Sequence, residues 1–250
     1  MKQHIRINEK YSDLTAFIEA LPSRFSEEGN TIYDARNRVK IFHPTPDGAP
    51  IVVKSYRIPR LFQRVVYTFF RKSKALRAYE YASRLISSGI RTPEGIACIE
   101  LYRGGLLAES YFISAFTPLE SLHDKMDGKT RIDLPLVKST AAFIATLHDR
   151  GILHGDPNLT NILVDTSVNP PVFELIDTNR SKFKKHLSHS EIITNLVRLT
   201  HIRPLSEALT REYALLTGRN PESTIREVQK GLEHFERSRR IRHRIKDIFK

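Results

Sequence analysis

Through the first half of the chain apolar and polar positions alternate in short runs. "NTIYDARN", "RVKIFH" and "PIVVKSY" each carry the period of two expected of strands, broken by turn chemistry of which "PTPDGAP" is the clearest case. The period lengthens in "KALRAYEYASRLISSG", which predicts a helix closed by Gly89. "GIACIELY" and "LLAESYFISAF" then flank Arg103-Gly104-Gly105, the signature of a hairpin. From Asp133 onward the pattern is mostly helical. Leu136, Val137, Thr140, Ala141, Ile144, Leu147 and His148 mark one helix face that Asp133 is placed to cap. Two strand-like runs follow, "NILVDT" and "PVFELIDT", and then three helices over roughly 189–201, 204–216 and 221–247. The class is α+β, with a strand-rich N-terminal lobe over 1–117, a mainly helical lobe over 118–250 and a cleft expected at their junction.

Composition narrows the setting. With 250 residues, 40% apolar content and ordinary Gly and Pro counts, the chain reads as soluble and globular. No run approaches the ~18 apolar residues of a membrane span, and the start "MKQHIRINEKYSDL" lacks the apolar core of a signal peptide. The lone Cys98 can form no intramolecular disulfide, which suits a cytoplasmic setting, and its apolar neighbours make it a core residue.

Charge changes the picture more. The net charge of +12 implies an anionic partner, and the excess is concentrated. Lys54 to Tyr79 holds eight basic residues and no acid, and Arg237 to Lys250 holds seven against Asp247. No stacking platform or recognition motif points to nucleic acid.

The candidate chemistry lies in "GILHGDPNLTNILVD", where Asp156 and Asn161 stand five residues apart in a polar loop between apolar elements. Taken singly, each polar residue has a plainer role: Asp156-Pro157-Asn158 makes a good turn, Asn161 can cap backbone groups, and His154 supports the loop. Lys40 in "RVKIF" reads as a residue of a solvated strand face. Partners for the loop occur elsewhere. Asp177 ends the strand "FELIDT", Lys54 lies in the apolar "IVVKSY", and Glu80 lies on the helix "RAYEYASRL". A strand lysine is costly to bury unless a carboxylate pairs with it, and Glu80 is the expected partner. Phosphoryl transfer from ATP needs such a set. Lys54 would hold the α- and β-phosphates, Asn161 and Asp177 would ligate Mg²⁺, and Asp156 would accept or orient the proton of the attacking hydroxyl.

The order Lys, Glu, H-x-D-x-x-x-x-N, Asp resembles the protein-kinase-like fold. His154-Gly155-Asp156 looks like the variant loop of small-molecule and sugar kinases. The stretches "NRVKIF", "VVKSYRIP", "RKSKALRAYEYASRL", "GIRTPEG", "SYFIS" and "HGDPNLTNIL" resemble the bacterial lipopolysaccharide-core kinases, which phosphorylate Kdo or heptose, over roughly residues 25 to 200. The resemblance implies a bilobal kinase-like fold, ATP and Mg²⁺ as cofactors, and a sugar or glycolipid acceptor. The chain departs from the family of regulated protein kinases in three places. Ala35-Arg36-Asn37 stands where a glycine-rich loop is usual, so backbone amides and Arg36 are expected at the phosphates. Asp177 is followed by Thr178-Asn179-Arg180, which spares the metal-binding carboxylate. Lys54 and Glu80 are 26 residues apart, the excess being the basic, aromatic insert "RIPRLFQRVVYTFFRKSK".

Gly155 replaces the arginine that reads a phosphorylated activation loop, Asn158 replaces a usual lysine, and about a dozen residues separate Asp177 from the next helix. A peptide acceptor is therefore disfavoured. In a helix, Leu61, Val65, Thr68 and Phe69 of the insert would share a face edged by Arg60, Arg64 and Arg71, a composition suited to an anionic inner-membrane surface. The expected location is cytoplasmic and peripheral to that membrane, with no obligate protein partner. Two other readings stand beside this one: a small-molecule kinase with another acceptor, and a catalytically silent scaffold of the same fold.

Overall fold

The structure is a computed structural model that describes residues 1–45, 48–57, 60–126 and 132–248, the last seven of these by backbone alone. The tip of the turn at Pro46-Asp47 and the basic side chains after Ile241 lie outside the described residues. The chain divides into two compact units, Met1–Pro118 with Asp177–Arg180, and Leu119–Ile176 with Ser181–Lys250.

The first unit is an antiparallel sheet with a helix on each face. In chain order its elements are β1 (Lys2–Ile7), α1 (Thr15–Arg24), β2 (Asn30–Asp34), β3 (Arg38–Phe42), β4 (Ile51–Tyr56), α2 (Leu61–Phe69), α3 (Lys74–Ser87), β5 (Gly95–Arg103) and β6 (Leu106–Ala115). The strand order is β1-β5-β6-β4-β3-β2. The β5–β6 turn carries Gly104 and Gly105 at φ 59° and 77°, the two left-handed residues a tight hairpin needs. Alternation assigns the faces. Phe42, Ile51, Val53, Ala97, Ile99, Leu101, Tyr111 and Ile113 pack with Ile18, Leu21 and Phe25 of α1 and its C-terminal end. Tyr56, Cys98 and Phe112 turn the other way, onto Ala75, Leu76 and Tyr79 of α3. Ser73 caps α3 by accepting the Leu76 N–H at 3.0 Å.

Two sequence expectations change here. The helix α1 was not visible in the pattern, because Pro22 interrupts it and only Ile18 and Leu21 of it are buried. Lys40 is not solvated. It is 4% exposed, with its ammonium donating to the carbonyls of Ser26 at 3.2 Å and Glu28 at 2.7 Å, just beyond α1. A cation there satisfies two main-chain carbonyls of the turn that follows the helix.

The second unit contains β7 (Glu120–Ser121), α4 (Leu122–Met126), α5 (Leu134–Asp149), β8 (Ile152–Leu153), β9 (Ile162–Asp165), β10 (Val172–Leu175), β11 (Lys182–Phe183), α6 (His189–Val197), α7 (Arg203–Leu216) and α8 (Pro221–Ile248). Asp133 caps α5 by accepting the Leu136 N–H at 3.0 Å. The expected face of α5 is buried: Leu136, Val137, Thr140, Ala141, Ile144, Leu147 and His148. Leu205, Leu209 and Tyr213 of α7, with Val228 and Leu232 of α8, extend this core.

Candidate active site

In the first unit Lys54 and Asp177 meet. Lys54 projects from β4 on the α3 side of the sheet, and its Nζ lies 2.8 Å from Asp177 Oδ1. Asp177 has φ 54°, a left-handed conformation that non-glycine residues seldom adopt. Asn179 donates to Asp177 Oδ1 at 2.6 Å and to the Tyr56 hydroxyl at 3.5 Å. Arg77, a buried guanidinium of α3, donates to the Asn179 carbonyl at 2.9 Å. Helix α3 thus holds the segment carrying Asp177.

Glu80 does not join Lys54. Both its oxygens accept from Lys72 at 2.7 Å, and Arg6 of β1 lies at 3.5 Å. It stands one turn beyond the buried Leu76 and Arg77, at a half-buried position where Lys72 and Arg6 take up its carboxylate. The carboxylate that sequence reasoning sought for Lys54 comes from Asp177. Asn37 ties its loop to the end of β4, with Oδ1 accepting the Arg57 N–H at 3.3 Å.

Sequence reasoning also missed Lys74. Burial, then the charges of Arg36, Arg180 and Arg77, hold its ammonium below the ordinary lysine range, against the pull of Asp177. Arg36 thus belongs to a group of cations near Asp177. Burial and Asp177 push the Tyr56 phenol far up, so Tyr56 stays a neutral phenol.

In the second unit the loop after β8 is tied at nearly every backbone group. His154 is 1% exposed; its Nε2–H donates to the Ile176 carbonyl at 2.9 Å, and its Nδ1 accepts the Asp156 N–H at 3.2 Å. Asn195 of α6 donates to the His154 carbonyl at 3.0 Å, and Arg198 to the Gly155 carbonyl at 3.0 Å. Asn158 accepts the Thr160 N–H at 3.2 Å and so starts a short helical turn. Asn161 donates its side-chain amide to the Asp156 carbonyl at 2.9 Å. That bond orients the carboxamide and leaves its Oδ1 without a protein partner among the described residues. The polar loop therefore serves two ends: Asn158 and His154 turn it, while Asp156 and Asn161 are held at half-buried positions within it.

The sequence profile described as the lipopolysaccharide kinase (Kdo/WaaP) family matches residues 38–219, most of the chain. The protein belongs to this family. It is a kinase of the lipopolysaccharide core with a protein-kinase-like fold. Among solved structures, WaaP in complex with acyl carrier protein is similar at TM-score 0.62 and 16% identity, over 94% of this chain and 97% of that one. A Rio2 kinase-ADP/Mg²⁺-phosphoaspartate complex from Chaetomium thermophilum is similar at TM-score 0.48 and 15% identity, over 88% and 75%. No curated protein matches the chain. The matched stretch spans the positions of Lys54, Asp156, Asn161 and Asp177.

Proposed function

We propose that this kinase transfers a phosphoryl group from ATP to a sugar hydroxyl, of Kdo or heptose, in a lipopolysaccharide-core precursor. The observation that carries the reading is the Lys54–Asp177 pair in a chain whose family is defined as lipopolysaccharide kinases. The N-terminal unit is the nucleotide-binding lobe in this reading and the C-terminal unit the catalytic one. Lys54 holds the α- and β-phosphates, and Arg36 and Lys74 add positive charge. Asn37 keeps the β2–β3 loop in place for them. Glu80 acts at one remove, by fixing Lys72 and Arg6.

Asn161 and Asp177 fit magnesium. Both offer oxygen, the donor this hard cation prefers, and Asn161 Oδ1 has no protein partner among the described residues. Substrate phosphates and water would complete the shell of such an ion. When bound, the ion offsets phosphate charge. Asp156 orients the acceptor hydroxyl and takes its proton. ATP consumption with a panel of lipid A precursors tests the reading. Turnover is expected with a Kdo- or heptose-bearing acceptor and is expected to vanish in Asp156→Ala; turnover indifferent to that substitution overturns it.

The insert supports a peripheral membrane role. In α2 and the residue after it, Leu61, Phe62, Phe69 and Phe70 are 67 to 81% exposed, beside Arg60, Arg71 and Lys72. One expectation narrows: Thr68 and Arg64 serve the fold, Thr68 accepting the Leu107 N–H and Arg64 donating to the Leu107 carbonyl. Among the described residues no helix is long and apolar enough to cross a membrane. Vesicles containing phosphatidylglycerol should co-sediment with the wild type and less with a charge-reversed Arg60, Arg71, Lys72 variant; equal binding sinks the idea. WaaP's complex with acyl carrier protein bears on the expectation of no obligate protein partner. Purification with and without co-expressed acyl carrier protein decides whether this chain needs one.

A further inference from the structure

Away from Asp156, the second unit has a cavity of about 650 Å³ lined by Arg150, Lys185, His186, Arg219, Asp149 and Tyr213, among others. Three full cations face one carboxylate there. Arg219 is the unusual member. It is half-buried, and a terminal nitrogen donates to His189 Nδ1 at 2.8 Å. His189 in turn donates Nε2–H to Glu227 at 2.7 Å. With Nδ1 accepting and Nε2 donating, His189 is a neutral spacer, so the guanidinium meets no carboxylate among the described residues. Its Nε–H is buried without an acceptor. A partly buried cation with no counter-charge is costly unless an anion completes it.

The floor of the cavity connects to the catalytic loop. The Tyr213 hydroxyl bonds His148 Nδ1 at 2.9 Å, His148 Nε2 bonds Asn195 Oδ1 at 3.0 Å, and Asn195 Nδ2 bonds the His154 carbonyl at 3.0 Å. Since the amide nitrogen of Asn195 must donate to a carbonyl, its oxygen accepts from His148. Nδ1 of His148 then accepts from Tyr213, and all three bonds run in one direction. The charge of Arg219 already acts on both Tyr213 and His148.

We propose that this cavity binds a phosphate or phosphate monoester at Arg219 and Lys185, and that occupancy is transmitted to the catalytic loop through Tyr213, His148 and Asn195. The dianion suits a guanidinium and an ammonium, and charge-assisted bonds to it would be the strongest in the cavity. The loop's role in transfer rests on the kinase reading; the binding site itself does not.

The test uses the full chain at constant ionic strength, titrated with inorganic phosphate and separately with glucose 6-phosphate. Lys54→Met is included so that binding at the nucleotide site is removed. Phosphate should raise the melting temperature saturably in both wild type and Lys54→Met, and should shift the His148 ring signals in NMR. Arg219→Gln should abolish both responses. Lys185→Gln, at an exposed position that no internal bond uses, should weaken them about tenfold, the loss of one charge-assisted contact. A stronger response to glucose 6-phosphate assigns the site to a phosphorylated sugar, and an equal one to free phosphate. No response in the wild type, or an undiminished response in Lys185→Gln, overturns the proposal even if Arg219→Gln fails to fold. Neither readout involves turnover, so a failed kinase reading leaves the outcome legible.

Discussion

Lys54 Nζ stands 2.8 Å from Asp177 Oδ1, while Glu80, the carboxylate expected beside that lysine, is held by Lys72 and Arg6. The pairing makes two substitutions diverge. Lys54→Met removes a positioned cation and should lower turnover about 10²–10³-fold without unfolding the chain. Glu80→Gln removes surface-type ion pairs and should cost about 1 kcal/mol or less, with turnover within about tenfold of wild type. Parallel turnover assays and melts check both. Equal losses of turnover would return Glu80 to the nucleotide site.

Asn195 joins two buried groups, accepting from His148 and donating to the His154 carbonyl. Asn195→Ala leaves a donor and an acceptor unsatisfied and should destabilise by about 2–4 kcal/mol, read as a lower urea midpoint. Asn195→Asp retains the acceptor and loses the donor. It should still lower turnover, because a carboxylate oxygen then faces the His154 carbonyl.

Gly151 has φ 68°, and a Cβ there would sit 1.8 Å from the Lys184 carbonyl oxygen. Its own carbonyl accepts the Lys184 N–H at 2.9 Å, so the two backbones cannot part freely. Gly151→Ala combines a left-handed backbone with an overlap of main chains and should cost of order 3 kcal/mol. The melting temperature should fall by roughly 10 °C. A fall of only a degree or two would mean that β8 and β11 separate easily.

Stability should fall in two stages as pH drops. Burial holds His148 below its ordinary value of 6.5, outweighing Asn195, which favours the charged form. Between that lowered value and 6.5 the unfolded chain binds the extra proton, so this contribution is whole above pH ~6.5 and shrinks below it. Glu191 is held down to about 2 by Lys184 and by the N-terminal cap at Ser188, so its contribution is whole above about 4.5 and is lost towards 2. Urea midpoints at pH 7.5, 5.5 and 3.5 should decline in that order. Glu191→Gln should flatten the last step and leave the first unchanged.

Much of this was legible in the sequence where local pattern decides structure. The β5–β6 hairpin, the cap at Asp133 and the buried face of α5 follow from turn chemistry and periodicity, and the protein-kinase-like fold from the resemblance carried by the order of Lys54, Glu80, Asp156, Asn161 and Asp177. What failed depended on which side of an element a residue faces after packing. Glu80 has the right residue type on the right helix, yet Lys72 and Arg6 take up its carboxylate. Lys40 reads as solvated until α1 is known to end beside it, and α1 is masked by Pro22. Lys74 and Asn179 gave no signal beyond charge and polarity, because their contacts to Tyr56 and Asp177 join segments far apart in sequence.

The burial of Cys98 has a practical consequence. Burial pushes its thiol far above the ordinary cysteine range, and the side chain is 1% exposed, so alkylating reagents should leave the native chain untouched. A second cysteine placed at Phe62, itself 79% exposed, would then be the single reactive position. An environment-sensitive dye attached there would report directly on whether the aromatic insert leaves water for a lipid bilayer, with no background from the rest of the molecule.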